Sequence, residues 1–257
     1  QTFLLFLFSL STSLYSADAW CGCRNPGKRE ASDDINNSSV IEGDIEVNDH
    51  VKQVYSGRTG KFRAHLLNKN MRWPNGKVTY SFSRSVGSRL QGLVRSSLSE
   101  LQQKTGNCVS FQELNYRPSG SHIVVDTQNA CRSMIGRMSN GQTLSLGANN
   151  CFYKGVVIHE FMHALGFFHE QSRPDRDRYV NIHWGNINSN MCGNFHICRG
   201  CGTSTQYDTK SIMHYMSSLF SCRRGANTVT TKSGGYIPFP NELTSGDISK
   251  IKTFYGC

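Results

Sequence analysis

Residues 159–170 read HEFMHALGFFHE, three histidines and two glutamates in twelve positions. Val156, Val157, Phe161, Ala164 and Leu165 recur at helical intervals, so the spacing predicts a helix over residues 153–165. On that helix His159 and His163 stand one turn apart on one face, and both imidazoles can reach a single ion. Glu160 is rotated by about 100° from His159, close enough to meet a water on the ion without ligating it. Gly166 can take a positive φ, end the helix and turn the chain so that His169 returns to the same metal. Three neutral nitrogens leave a fourth position open, the arrangement of a catalytic zinc rather than a closed structural one. The competing reading is a plain helix with solvent-facing histidines. A chance HExxH match in a chain of this length has a probability on the order of one per cent, and the added Gly and His lower it by roughly two to three further orders of magnitude.

Outward from this stretch, the 257 residues suffice for one large domain and a smaller segment. Residues 3–10, FLLFLFSL, are too short to cross a bilayer as a helix and are followed by Ala17-Asp18-Ala19. That pattern reads as a signal peptide over residues 1–19, cut before Trp20, rather than a buried N-terminal strand. The chain opens on Gln1 without a basic region, so its true start is expected upstream. No second long apolar run follows, so a secreted protein without a membrane anchor is expected. Ten cysteines fit export and disulfides. Asn36 and Asn37 open two overlapping glycosylation sequons.

The charge is uneven. Residues 1–63 hold 7 Lys/Arg against 8 Asp/Glu, whereas residues 64–257 hold 21 against 10, a net +11. Every charged side chain from Glu30 to Asp49 is acidic, so an acidic leader faces a basic body. No basic block or helix stands out, which argues against nucleic acid as a partner; an anionic matrix or acidic substrate stays open.

Residues 20–63 are polar, with only a short alternation from Val40 to Val47, and read as an extended segment lying on another surface. Beyond them, strands are predicted at 78–83, 109–114, 121–127 and 142–146, with an amphipathic helix over 88–104 carrying Leu90, Leu93, Val94, Leu98 and Leu101. This alternation gives an α/β sandwich for the first half. Past Gly166 the chain is loop-rich, with a short final helix near residues 246–253.

The motif His159-Glu160-x-x-His163-x-x-Gly166-x-x-His169 resembles the signature of the metzincin zinc proteases, and the Glu170 that follows is similar to the astacin family within them. Ser211-Ile212-Met213-His214-Tyr215 resembles that family's Met-turn. Asn149-Asn150-Cys151 and Arg173-Pro174-Asp175-Arg176-Asp177 resemble its other landmarks. The resemblance implies an α+β metzincin fold: a twisted mixed sheet with two long helices, a cleft, and a loop-rich C-terminal part ending in a helix. It implies a zinc endopeptidase with one Zn2+ on His159, His163 and His169. Glu160 would be the general base, Met213 the apolar floor, and Tyr215 a switching group that supports the oxyanion. Protein or peptide substrates are implied, cut before acidic side chains, by an enzyme acting as a monomer.

Ile41-Glu42-Gly43-Asp44 resembles the element of astacin propeptides whose aspartate takes the water's place on zinc, with Ile41 where the family has Phe. The resemblance thus implies a propeptide over 20–63, Asp44 as the zymogen ligand, and a catalytic domain over 64–257. A trypsin-like protease would cut at Arg63-Ala64, or alternatively at Lys61-Phe62. The new N-terminus would pair with Glu170; a salt bridge from Glu170 to Arg173 is the alternative. Bridges Cys131–Cys151 and Cys108–Cys257 are implied. Cys192, Cys198, Cys201 and Cys222 are expected to pair among themselves rather than join His196 in a second zinc site, and Cys21 and Cys23 have no assignable partner. The alternative function is an inactive astacin-like binding or toxin module, against which Glu160 and Tyr215 argue.

Overall fold

The computed structural model describes residues 21–23, 35, 38–57, 71–128, 130–147 and 151–257. Runs of Val, Ile and Leu in the first half pair into one mixed sheet. Its strands are β1 (Val40–Ile41), β2 (Ile45–Glu46), β3 (Lys77–Phe82), β4 (Ser110–Glu113), β5 (Ile123–Asp126), β6 (Cys131–Met134) and β7 (Gln142–Leu146), in the order β1-β2-β6-β7-β5-β3-β4. β4, β3, β5 and β7 run parallel, with Ile123, Val125, Leu144 and Leu146 fully buried, as strands covered on both faces require. β6 returns antiparallel to β7. The acidic leader then extends the sheet: β2 lies parallel to β6 and β1 antiparallel to β2.

Among the described residues four α-helices complete the fold: α1 (Asp49–Ser56), α2 (Ser88–Lys104), α3 (Lys154–Leu165) and α4 (Ser245–Tyr255). α2 is the crossover that parallel β3 and β4 need, and it buries Leu90, Val94, Leu98 and Leu101 along one stripe. α3 carries the histidines and is buried on almost every side; between Gly155 and Leu165 only His159 keeps partial exposure. Phe161 packs edge-on against Tyr80 and Phe111, and the Trp73 indole donates to the Ala164 carbonyl at 2.8 Å. Gly166 ends α3 at φ 116°, its amide donating to the Met162 and His163 carbonyls. Beyond it, Val180, Ile187, Phe195, Tyr207, Tyr215, Val229 and Ile237 form a second core, with a small ladder of β8 (Val180–Ile182) and β9 (Val229–Thr231). The two cores meet at the Met213–Tyr215 turn, since Met213 belongs to the first and Tyr215 to the second.

The predicted helix over 88–104 matches α2 end for end, and the one over 153–165 starts a residue later. β6 and α1 are among the elements that lack a sequence signal, as are β8 and β9 in the stretch read as loop-rich. β6 (CRSM) is short and half polar, and its pairing is supplied by neighbours on either side. α1 folds inside the segment expected to be extended; Asn48 caps its start by accepting from the Val51 amide at 2.9 Å, and Gly57 ends it at φ 71°. The predicted signal peptide, the sequons at Asn36 and Asn37, Asn149-Asn150, and the Arg63-Ala64 and Lys61-Phe62 cut sites lie outside the described residues.

All ten cysteines are bonded. Cys108–Cys257, Cys131–Cys151 and Cys198–Cys201 are joined, the first two being the pairs implied by the resemblance. The expectation for Cys192 and Cys222 is corrected: they bond the leader, as Cys23–Cys192 and Cys21–Cys222. The reason is a short backbone pairing that nothing in the local sequence announces. Cys21 bridges to Asn188, Gly22 donates to the Ile187 carbonyl at 2.9 Å and Cys23 to that of Trp184 at 3.1 Å, which sets both thiols beside their partners.

Replacing Cys108 and Cys257 together by Ser removes a cross-link spanning 149 residues. Loop entropy puts the loss at about 5 kcal/mol. Urea denaturation should show a clearly lower midpoint; an unchanged midpoint would contradict a role for this bond in stability.

Candidate metal centre and cleft

Helix α3 sets His159 and His163 one turn apart, and the turn at Gly166 brings His169 back against them. Their ring centroids lie 4.7–5.0 Å apart. Asp44 reaches in from the leader as the fourth member, and one donor atom from each residue lies within 4.8 Å of the others. Nε2 of His159 is 3.1 Å from Nε2 of His169 and 3.2 Å from Oδ2 of Asp44; His169 Nε2 is 3.3 Å from the same oxygen, and His163 Nε2 is 3.6 Å from Oδ1.

The outward nitrogens decide what the inward ones are. Nδ1 of His159 faces the Ile212 carbonyl at 2.7 Å, and Nδ1 of His163 faces the Phe167 carbonyl at 2.7 Å. A carbonyl can only accept, so each Nδ1 donates and each neutral ring turns a bare Nε2 lone pair inward. His169 Nδ1 lies 2.6 Å from Oε2 of Glu42, a leader residue. Lone pairs and a carboxylate therefore converge at separations that repel unless a cation sits among them. These spacings are close to the edge of a tetrahedron, about 3.3 Å when each ligand lies about 2 Å from the centre. His163 Nε2 and Asp44 Oδ1 are buried and have no hydrogen bond. The donor set, three imidazoles and one carboxylate, fits Zn2+.

Protonation states answer to the same crowding. Burial alone would lower His169, but Asp44 and Glu42 overcome it and drive the ring up to about 10. Burial also opposes ionisation of Asp44, yet the charge of His169 and the contacts from His159 and His163 hold its carboxyl well below the ordinary range. His163 falls to about 4, chiefly through burial.

Glu160 is 1% exposed, and its Oε2 has no hydrogen-bond partner among the described residues. Burial, with the Asp44 charge adding to it, pushes this carboxyl well above the ordinary value. Met213 is buried within the turn beside the histidines, its carbonyl accepting from the Glu170 amide at 2.9 Å. Tyr215 donates its hydroxyl to the backbone carbonyl of Glu42. In the same loop Gly43 sits at φ 83°, and a Cβ there would fall 2.7 Å from the Phe220 ring, so glycine is needed for both its conformation and its closeness. Glu170 is buried and fully engaged: Oε1 accepts from Arg173 at 3.0 Å and the Asp208 amide at 2.8 Å, and Oε2 from Lys250 at 2.8 Å. The Arg173 partner foreseen as an alternative is present, but the pair is buried rather than on the surface.

Sequence reasoning passes over several contributors. Glu42 holds both His169 and Tyr215, yet in the sequence it is only the variable position of the leader motif. Asp247 caps α4 and also accepts from the Ile212 amide at 2.9 Å, fixing the turn whose carbonyl orients His159. Its signal is readable as a capping box with Thr244; its reach to the turn is not. Lys250 likewise betrays nothing in sequence of its contact with Glu170, 80 residues away.

Comparison with known proteins agrees with this geometry. The family model for Astacin, a peptidase family, matches residues 65–256. The chain is 36% identical over 244 residues to zinc metalloproteinase nas-15 of Caenorhabditis elegans, covering 88% of this chain and 41% of that protein. It is 33% identical over 228 residues to zinc metalloproteinase nas-6 of the same organism, covering 86% and 64%. The chain thus spans less than two thirds of either relative. Among solved structures, high choriolytic enzyme 1, a hatching enzyme zinc-protease from Oryzias latipes, superposes with a TM-score of 0.67 at 29% identity, over 76% of this chain and all of that one.

Replacing His163 by Ala removes one of four ligand atoms. After dialysis against a weak chelator, elemental analysis should find about one zinc per parent chain and only a small fraction in the variant. Near-stoichiometric zinc in the variant would contradict the ligand assignment.

Proposed function

The chain belongs to the astacin family of peptidases, and from that premise we propose that it is a secreted zinc endopeptidase made in a latent form. The observation that carries the reading is the trio of inward Nε2 atoms beside an unpartnered, buried Glu160. His159, His163 and His169 would hold the zinc, which when bound would supply Lewis acidity toward a peptide carbonyl and lower the pKa of water toward about 7. Glu160 then takes the proton of the attacking water and returns it to the leaving amine. Tyr215, once free of the Glu42 carbonyl, turns its hydroxyl toward the oxyanion, where a donor acts on charge that exists only in the transition state.

Latency is assigned to residues 20–63, with the catalytic domain over 64–257. Three contacts support it: Asp44 in the fourth ligand position, the Glu42 carboxylate on His169, and the Glu42 carbonyl on Tyr215. A trypsin-like protease is proposed to cut between leader and body at Arg63-Ala64. The new N-terminus is proposed to join Glu170, adding an ammonium to a carboxylate that Arg173 and Lys250 already hold. Five disulfides are in keeping with an oxidising, extracellular setting. Among the described residues no helix is long and apolar enough to cross a membrane.

Two outcomes test this. Leader-free protein should cleave an unstructured protein such as casein and stop when chelated, whereas Glu160→Gln should keep its zinc and lose at least about 100-fold in rate; undiminished cleavage by that variant would refute the base. Asp44→Ala in the uncut chain should show peptidase activity that the uncut parent lacks, and an equally silent variant would refute Asp44 as the latency ligand.

A further inference from the structure

A cavity opens beside the cage, between α3 and the chain that follows the Met213 turn. His159, Glu160 and His169 form the side nearest the ligands. Apart from His214 and Tyr215 the remaining wall is apolar, with Val156, Ile212, Met216, Leu219, Phe239 and Pro240, and no Lys or Arg lines it. None of the described leader residues enters it. Its wall is held tightly, because a Cβ on Gly155 would lie 2.9 Å from the Cα of Asn241; residues 239–241 close directly onto the first turn of α3.

Resting on the peptidase reading above, we infer that this cavity seats the side chain of the substrate residue just after the cleaved bond, and that it selects an uncharged apolar side chain rather than an acidic one. Glu160 assigns the side of the bond. It hands its proton to the leaving amine, so the residue bearing that amine must lie against Glu160, and Glu160 lines this cavity. The lining assigns the chemistry. A carboxylate placed there would lose its hydration, find no Lys or Arg to pair with and face the Glu160 carboxyl. A leucine or phenylalanine side chain would instead leave water for a matching surface. The net +11 of residues 64–257 lies elsewhere and does not reverse this.

The test is a panel of fluorogenic peptides identical except for the residue after the cleaved bond, Leu, Phe, Asp or Lys, with leader-free protein. The kcat/KM for Leu and Phe should exceed that for Asp by about tenfold or more. Leu219→Arg, which supplies the missing cation on a half-buried wall, should narrow or invert that ratio. Asp cleaved as well as Leu by the parent protein would overturn the inference while leaving the peptidase reading intact. Zinc-loaded protein that cleaves none of the four would overturn the peptidase reading itself.

An independent observation concerns release of the leader. Cys21–Cys222 and Cys23–Cys192 tie its first described residues to the body, and Asp44 lies between them and any cut at Arg63-Ala64. We propose that one cut there yields two chains still joined, with Asp44 able to return to the cage. A tether of this kind keeps the blocking loop at a local concentration on the order of millimolar, whatever the dilution. Activation would then need a second cut between Cys23 and Asp44, or loss of both bonds.

The check uses the full chain with residues 58–64 replaced by the site of a sequence-specific protease, so that one bond is cut. The cut protein should migrate as one species without reductant and as two with it. Replacing Cys21, Cys23, Cys192 and Cys222 together by Ser should separate the chains without reductant and raise the rate per cut molecule by about tenfold or more. A leader fragment freed from the parent protein on the non-reducing gel would overturn the proposal, even if the fourfold variant does not fold. Equal rates for parent and variant would overturn the retained inhibition.

Discussion

Three imidazole nitrogens and a carboxylate converge on one small volume, and a shared cation is what satisfies them together. The surrounding fold sets the orientations. The Ile212 carbonyl that turns His159 belongs to a loop tied to Asp247 of α4, and the Phe167 carbonyl that turns His163 follows directly from the glycine ending α3. The buried α3 keeps the first two rings in register, and the Gly166 turn brings in the third. Loss of an outer partner that orients a ligating ring typically costs about 10- to 100-fold in metal affinity. Elements from both cores therefore converge on what happens at Nε2.

The leader meets this centre at several points at once. β2 adds a strand to the edge formed by β6, and α1 docks on the loop of the Cys198–Cys201 bridge, where the Arg199 and Gly200 amides donate to the Tyr55 and Val54 carbonyls. Gly200 is required there, since a Cβ would fall 2.2 Å from the Val54 carbonyl oxygen. Between these anchors the Glu42-Gly43-Asp44 loop enters the cleft with Glu42 at φ 50° and Gly43 at φ 83°. A non-glycine residue in that region is strained. Three side-chain and backbone contacts to the site hold it. The acidic character of the leader against a basic body, visible in composition, is exerted at close range by these two carboxylates among the histidines.

Much of this is legible in the sequence. The HEFMHALGFFHE stretch carries helical period, ligand spacing and the glycine turn in twelve residues, because every one of those features is local. Asp44 is legible through its resemblance, and α2 through its apolar stripe. What escapes depends on distant partners. Cys21 and Cys23 find Cys222 and Cys192 only because a three-residue segment pairs with residues 184–188. Lys250 reaches Glu170 across the fold, and β6 becomes a strand through neighbours on both sides rather than through its own CRSM pattern. α1 is eight residues with three buried side chains, too short for periodicity to stand out from its polar surroundings.

Zinc K-edge X-ray absorption on the uncut, metal-loaded chain tests the central claim most directly. The account predicts one tetrahedral site with nitrogen and oxygen ligands at about 2.0–2.1 Å and outer-shell scattering from three imidazoles. An octahedral shell dominated by water, a sulfur ligand, or scattering from fewer than three rings would contradict it.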